Sequence, residues 1–140
     1  MNDITLTIPG IPIAKKRHRM ANGRSYSPQT EEERAVQWEI KRQLGPGFEL
    51  LKGPLLISVN SFFPRPKGHY GTGRNAEKLK PSAPGPELIT LDCDNIAKFY
   101  LDCMNGIVFR DDRQVVSLRV SKQYGTDGMV SVGVSRSNGE

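Results

Sequence analysis

Asp94-Asn95-Ile96-Ala97-Lys98-Phe99-Tyr100-Leu101-Asp102-Cys103-Met104-Asn105 is the segment from which the rest of the chain can be ordered. Ile96, Phe99, Tyr100, Cys103 and Met104 recur close to the helical period. Asp94 or its neighbour stands where an N-cap is wanted, and Asn105-Gly106 supplies a stop. The segment therefore reads as an amphipathic helix. What lies on either side of it sets the fold class.

Downstream, Gln114–Tyr124 and Met129–Val134 read as two short strands joined by Gly125-Thr126-Asp127-Gly128. The second alternates, with Val130, Val132 and Val134 on one face. Upstream lies a stretch of different character. Arg65 to Thr90 has no apolar periodicity and is rich in Gly, Pro, Lys and Ser, so it reads as a long basic loop. Before it, Pro54–Phe63 reads as a strand ended by Pro64 and Pro66. Another helix is expected to begin near Ser27-Pro28, with Glu31, Glu32 and Glu33 at its positive end and Gly45-Pro46-Gly47 stopping it. Ala35, Trp38, Ile40 and Leu44 form its apolar face, which places Trp38 in the core. Ile4–Ile8 alternates as a first strand, and Lys15–Arg24, with its Asn22-Gly23 turn, reads as a loop.

The order β-α-β-loop-α-β-β implies an α+β fold: a mixed four-stranded sheet with two helices packed on one face. At 140 residues, with 36% hydrophobic residues, the chain suits one domain spanning 1–140. No apolar run approaches the roughly 20 residues of a membrane-spanning helix. The N-terminus lacks a basic region followed by an apolar stretch, and the two cysteines, Cys93 and Cys103, form no paired motif. A reduced, cytoplasmic setting is the expectation.

The net charge of +5 is unevenly spread. Residues 1–25 and 65–80 together hold 10 of the 20 basic residues and only 2 of the 15 acidic ones. Lys15, Lys16, Arg17, Arg19, Arg24, Arg65 and Lys67 are accordingly candidates for a phosphate track. Two solvated surface loops remain the alternative reading of the same charges.

The chemistry is concentrated in Asp92-Cys93-Asp94-Asn95, Lys98 and Asp111-Asp112. Residues two apart in an extended approach share a side, so Asp92 and Asp94 can face one site. Lys98 lies one helical turn beyond Asp94. Asp112 completes the cluster if its strand starts beside the helix N-terminus. Three such carboxylates repel until a hard divalent cation joins them, and Mg²⁺ or Mn²⁺ suits oxygen donors. The competing reading makes Asp92 and Asp94 a helix cap with an Asp–Lys pair, and Asp111-Asp112 turn residues.

Asp92-Cys93-Asp94-Asn95-Ile96-Ala97-Lys98, Leu101-Asp102, Asn105-Gly106 and Phe109–Val116 together resemble the signature of the RusA family of Holliday-junction resolvases, especially its phage and prophage members. Ile8–Pro12 with Lys15–Arg17, Gly23–Pro28 and Arg65–Gly73 are similar too. The resemblance implies a homodimeric endonuclease, dependent on Mg²⁺ or Mn²⁺, that nicks two opposed strands of four-way DNA junctions symmetrically. It assigns catalysis and metal binding to Asp92, Asp94 and Asp112, makes Lys98 essential, and gives Asp111 and Asn95 supporting parts. A less selective nuclease for branched or flap DNA, and a non-enzymatic basic DNA-binding module, remain the alternatives.

Overall fold

The computed structural model describes residues 3–137, apart from 17, 18, 22 and 27. Eight principal elements follow in chain order. They are β1 (Ile4–Pro9), β2 (Arg19–Ala21), β3 (Arg24–Tyr26), α1 (Thr30–Leu44), β4 (Leu55–Pro64), α2 (Cys93–Met104), β5 (Val115–Gly125) and β6 (Met129–Arg136). The expected α+β architecture is present, a mixed four-stranded sheet with both helices on one face.

The sheet runs β1-β6-β4-β5. Leu55, Ile57, Val59, Ser61 and Phe63 of β4 alternate into the interior, and Val130, Val132 and Val134 of β6 do the same beside them. Both strands thus follow the period-2 pattern of a half-covered sheet. Ser61 is the polar member of this row, and its hydroxyl donates to the Ser121 carbonyl at 2.6 Å, so its burial leaves no donor unused. Six residues of α2 are buried: Ile96, Ala97, Phe99, Tyr100, Cys103 and Met104. Each large apolar side chain in this row is worth roughly 1.5–3 kcal/mol of transfer free energy.

β4 and β5 pair in parallel, with α2 as the crossover between them, while β6 is antiparallel to β4. The tight turn from β5 to β6 therefore joins strands that are not neighbours; it passes over the end of β4. Gly128 is required in that turn, because a Cβ there would lie 2.8 Å from the Ile11 nitrogen. The β1 edge is closed by a side chain. Gln43 of α1 accepts from the Thr7 amide at 3.0 Å and donates to the Thr7 carbonyl at 2.6 Å.

Three local expectations are corrected. The Lys15–Arg24 stretch is not wholly loop, since Arg19–Ala21 and Arg24–Tyr26 pair as a small antiparallel ladder. α1 begins at Thr30 rather than at Pro28. The residue before it, Gln29, is fully buried, with its amide bonded to Ala14 O and Lys16 N, both at 2.8 Å. That tertiary clamp fixes the entry to the helix; Ser27, expected to cap it, lies outside the described residues. Trp38 is 64% exposed, and Val36 and Ile40 are the residues α1 buries. Trp38 lies two residues from both, which on a helix is close to the opposite side.

Candidate active site

Asp92 is the N-cap residue of α2, yet its carboxylate makes no capping hydrogen bond. Ordinarily such a carboxylate would turn back onto the first free amides of its helix. Here Asp92 and Asp94 are both exposed, and Lys98 is exposed one turn further along. Among the described residues, no hydrogen bond or ion pair engages the side chains of Asp92, Asp94, Asp112 or Lys98. The α2 N-terminus thus presents two uncommitted carboxylates and one uncommitted ammonium.

The approach to α2 is held from two sides. Lys122, on β5, donates to Ile89 O at 2.9 Å and to Leu91 O at 3.0 Å, fixing the chain immediately before Asp92. On the other side, the Lys15 amide donates to Asn95 O at 2.8 Å, and the Ile13 amide donates to the Tyr100 hydroxyl at 3.0 Å. Between these two supports lies an open groove of about 440 Å³, lined by Ile11, Ile13, Lys16, Leu91, Asp92 and Asn95 among others. Lys122 carried no motif signal. Only its position on β5, level with the end of the long loop, gives it this part.

Asp112 lies elsewhere. It opens a short 3-10 turn (Asp112–Gln114) just before β5, and Gln114 bonds Leu51 O and Gly53 O at 3.0 Å, close to the start of β4. Asp111 caps this turn: its carboxylate accepts from the Arg113 amide at 2.9 Å, while the Gln114 side chain accepts from the Asp111 amide at 3.2 Å. Because β4 and β5 are parallel, α2 must run back across the sheet before β5 can begin. Asp112 therefore lies toward the C-terminal end of α2, and Asp92 stands at the other end of a 12-residue helix about 18 Å long at 1.5 Å per residue. No group of three His, Cys, Asp or Glu side chains suited to a metal ion occurs among the described residues.

The basic candidates divide as well. Lys15 is committed internally, with its ammonium 2.9 Å from Asp102 and 3.3 Å from Glu33. Partial burial works against its charge, but the two carboxylates outweigh it and its pKa is raised. Arg65 lies 4.1 Å above the centre of the Tyr124 ring and donates to Pro84 O at 2.8 Å, so it braces the long loop. His69 packs edge-on against the same ring. Lys16 and Lys67 are exposed. Arg19 and Arg24 are in the β2–β3 ladder, and Arg17 lies outside the described residues.

The family model for endodeoxyribonuclease RusA matches residues 9–135. The chain belongs to the RusA family. Membership makes it a nuclease of the general junction-resolving type, and such enzymes generally use divalent metal ions. Over 137 residues the chain is 28% identical to the uncharacterized protein YqaN of Bacillus subtilis (strain 168), covering 94% of this chain and 95% of that protein. No helix among the described residues is long and apolar enough to cross a membrane.

Proposed function

We propose that this RusA-family chain is a homodimeric, Mg²⁺-dependent endonuclease, with Mn²⁺ able to substitute, that resolves four-way DNA junctions by paired symmetric nicks. The observation that carries this reading is the state of the α2 N-terminus. Asp92 occupies the cap position without spending its carboxylate on the cap, Asp94 is exposed beside it, and Lys98 follows on the next turn. A purely structural cap would use the Asp92 oxygens on its own helix amides.

Asp92 and Asp94 offer hard oxygen donors, so the residues present suit a divalent cation of the Mg²⁺ class. The family resemblance assigns Asp112 as the third ligand, although within one chain it lies toward the other end of α2. A bound cation supplies an acidified water and neutralises charge on the scissile phosphate. Lys98 places a positive charge for a phosphate oxygen as charge develops on it. Asn95 lines the neighbouring groove, and Asp111 holds the turn that presents Asp112. Lys16, Arg17, Arg19, Arg24 and Lys67 form the phosphate track, without Lys15 and Arg65, whose charges serve the fold. A cytoplasmic setting and a phage or prophage origin belong to the same reading.

The test is to incubate the protein with labelled four-way junction, flap and linear duplex, in Mg²⁺ or EDTA, beside Asp94→Asn. Paired nicks in the junction alone, requiring metal and Asp94, are expected, with Asp94→Asn still binding DNA. Equal cutting of flaps would replace the resolvase by a less selective branched-DNA nuclease. Binding without cuts in any substrate would leave a non-enzymatic DNA-binding module.

A further inference from the structure

α1 buries Val36 and Ile40 and turns its opposite side to solvent. On that side stands Trp38, the chain's single tryptophan, 64% exposed. Arg34, four residues earlier, and Lys41, three residues later, are its neighbours on the helix surface, and both are exposed. Among the described residues neither cation makes a side-chain hydrogen bond or ion pair. Glu39 does not compete for them, because its carboxylate is committed to Arg42 and, at 2.9 Å, to Gln43. A large exposed aromatic between two uncommitted cations is a surface feature that the core does not require.

Beyond Lys41 the same surface opens into a hollow of about 240 Å³. Leu44, Phe48 and Ile107 line it with Lys41, and Gly45 and Gly106 leave bare backbone in its wall, which offers polar atoms as well as space. Leu44 ends α1, and Ile107 comes shortly after the end of α2. The hollow is thus at the end of α2 away from Asp92.

We infer that this face binds a short acidic segment of a partner protein, one that carries an aromatic or branched aliphatic side chain beside its aspartates or glutamates. The charges argue for the acid, since Arg34 and Lys41 have no carboxylate partner among the described residues. The hollow argues for one large apolar side chain next to it, with the Trp38 ring as a second apolar surface. From Arg34 to Lys41 is about 10 Å along the helix, the length of about three extended residues. The ends of the patch argue against nucleic acid. Glu31, one turn before Arg34, and Glu49, between Phe48 and Leu50, are both exposed. A phosphate backbone running along the stripe would meet both carboxylates, whereas a segment of a few residues fits between them. Such a segment brings the chain to the protein that carries it and leaves the acidic end of α2 free.

The test reads Trp38 directly. A synthetic peptide of four aspartates followed by leucine and phenylalanine is titrated into the full chain, with tryptophan emission as the signal. A saturable blue shift is expected, weakening as salt rises because the cations are exposed. Replacing the peptide's leucine and phenylalanine by alanine, or its aspartates by asparagine, should weaken binding by about tenfold. With the peptide labelled and binding read by anisotropy, Trp38→Ala should lose about tenfold in affinity and Lys41→Ala about two- to fivefold. Both variants should melt as the wild type does. Lys16→Ala separates this face from the phosphate track and should bind the peptide unchanged. No shift up to about 1 mM peptide, equal binding of the asparagine peptide, or a loss in Lys16→Ala without one in Lys41→Ala overturns the proposal. So does a shift caused by a single-stranded oligonucleotide with none caused by the peptide, which would make the face a nucleic-acid surface. None of these measurements uses DNA cutting, so their outcome is independent of the nuclease reading.

Discussion

The ammonium of Lys122 and the carbonyl oxygen of Leu91 are 3.0 Å apart, and the same ammonium reaches Ile89 O at 2.9 Å. One side chain of an edge strand thus holds the last residues of a 26-residue loop (65–90) and the residue that leads into Asp92. Replacing Lys122 by Met should leave two carbonyls without their charged donor and cost about 1–3 kcal/mol in urea unfolding. If Lys122 positions Asp92, cutting should fall more in kcat than in KM, and Lys122→Arg should restore a good part of it. Equal loss from both variants, tracking stability alone, would reduce Lys122 to a structural tie.

Lys15 and Lys16 are adjacent in sequence but should behave differently. Lys15 is bound to Asp102 and Glu33, so Lys15→Met should lower stability by about 1–2 kcal/mol and leave the salt dependence of DNA binding nearly unchanged. Lys16 is exposed, and Lys16→Ala should flatten the slope of log K against log salt by up to about 0.9 with no effect on stability. Fluorescence anisotropy across a salt series, with parallel melts, separates the two.

Arg65 ties Tyr124 to Pro84 and so spans much of the long loop. Removing it as Arg65→Ala should cost about 0.5–2 kcal/mol, mostly local. Limited proteolysis should show faster cleavage within residues 65–90, with the sheet core unaffected. Unchanged protection would mean that the loop is held by other contacts.

The two thiols should differ in reactivity. Cys103 is fully buried, and burial, with Glu33 and Asp102 adding to it, pushes its pKa up to about 12. Cys93 is partly exposed between Asp92 and Asp94. At pH 8 a thiol reagent should titrate one fast group per folded chain and a second only on unfolding. If Asp92 and Asp94 hold Mg²⁺ or Mn²⁺, the metal should slow the fast reaction.

Alkaline stability follows from the same interior. Burial also raises Tyr100 to about 12 from an ordinary 10.0, and Cys103 starts from 9.0 when unfolded. Lys15 is raised above its ordinary 10.5. In each case the unfolded chain releases its proton first, so it binds fewer protons than the folded chain in this range. Stability is then complete below about pH 9 and declines as pH rises through 9 to 12. Urea midpoints measured from pH 7 to 11 should be flat and then fall, and Cys103→Ala should move the onset upward.

The sequence by itself determined the two helices and the four strands of the main sheet, and where the acidic block lies between them, but not the small β2–β3 ladder, which reads as loop. Period-2 alternation in β4 and β6, the row Ile96–Met104 and the stop at Gly45 are local patterns, and local backbone geometry reads them directly. The acidic block was legible for the same reason, since Asp92, Asp94 and Lys98 lie within two turns of chain. Trp38 was misread as core because helical spacing defines a stripe only approximately; its neighbours Val36 and Ile40 proved to be the inward pair. The entry to α1 was fixed by Gln29 reaching Ala14 and Lys16, contacts that no local pattern announces. Tertiary structure alone decided which charges are spent inside the fold, because Lys15 differs from its neighbour Lys16 only in what packs beside it. It also decided where Asp112 stands. The order strand-helix-strand is the same for any crossover, but parallel pairing of β4 and β5 forces the helix to run back the length of the sheet, and that separates Asp112 from Asp92 within the chain.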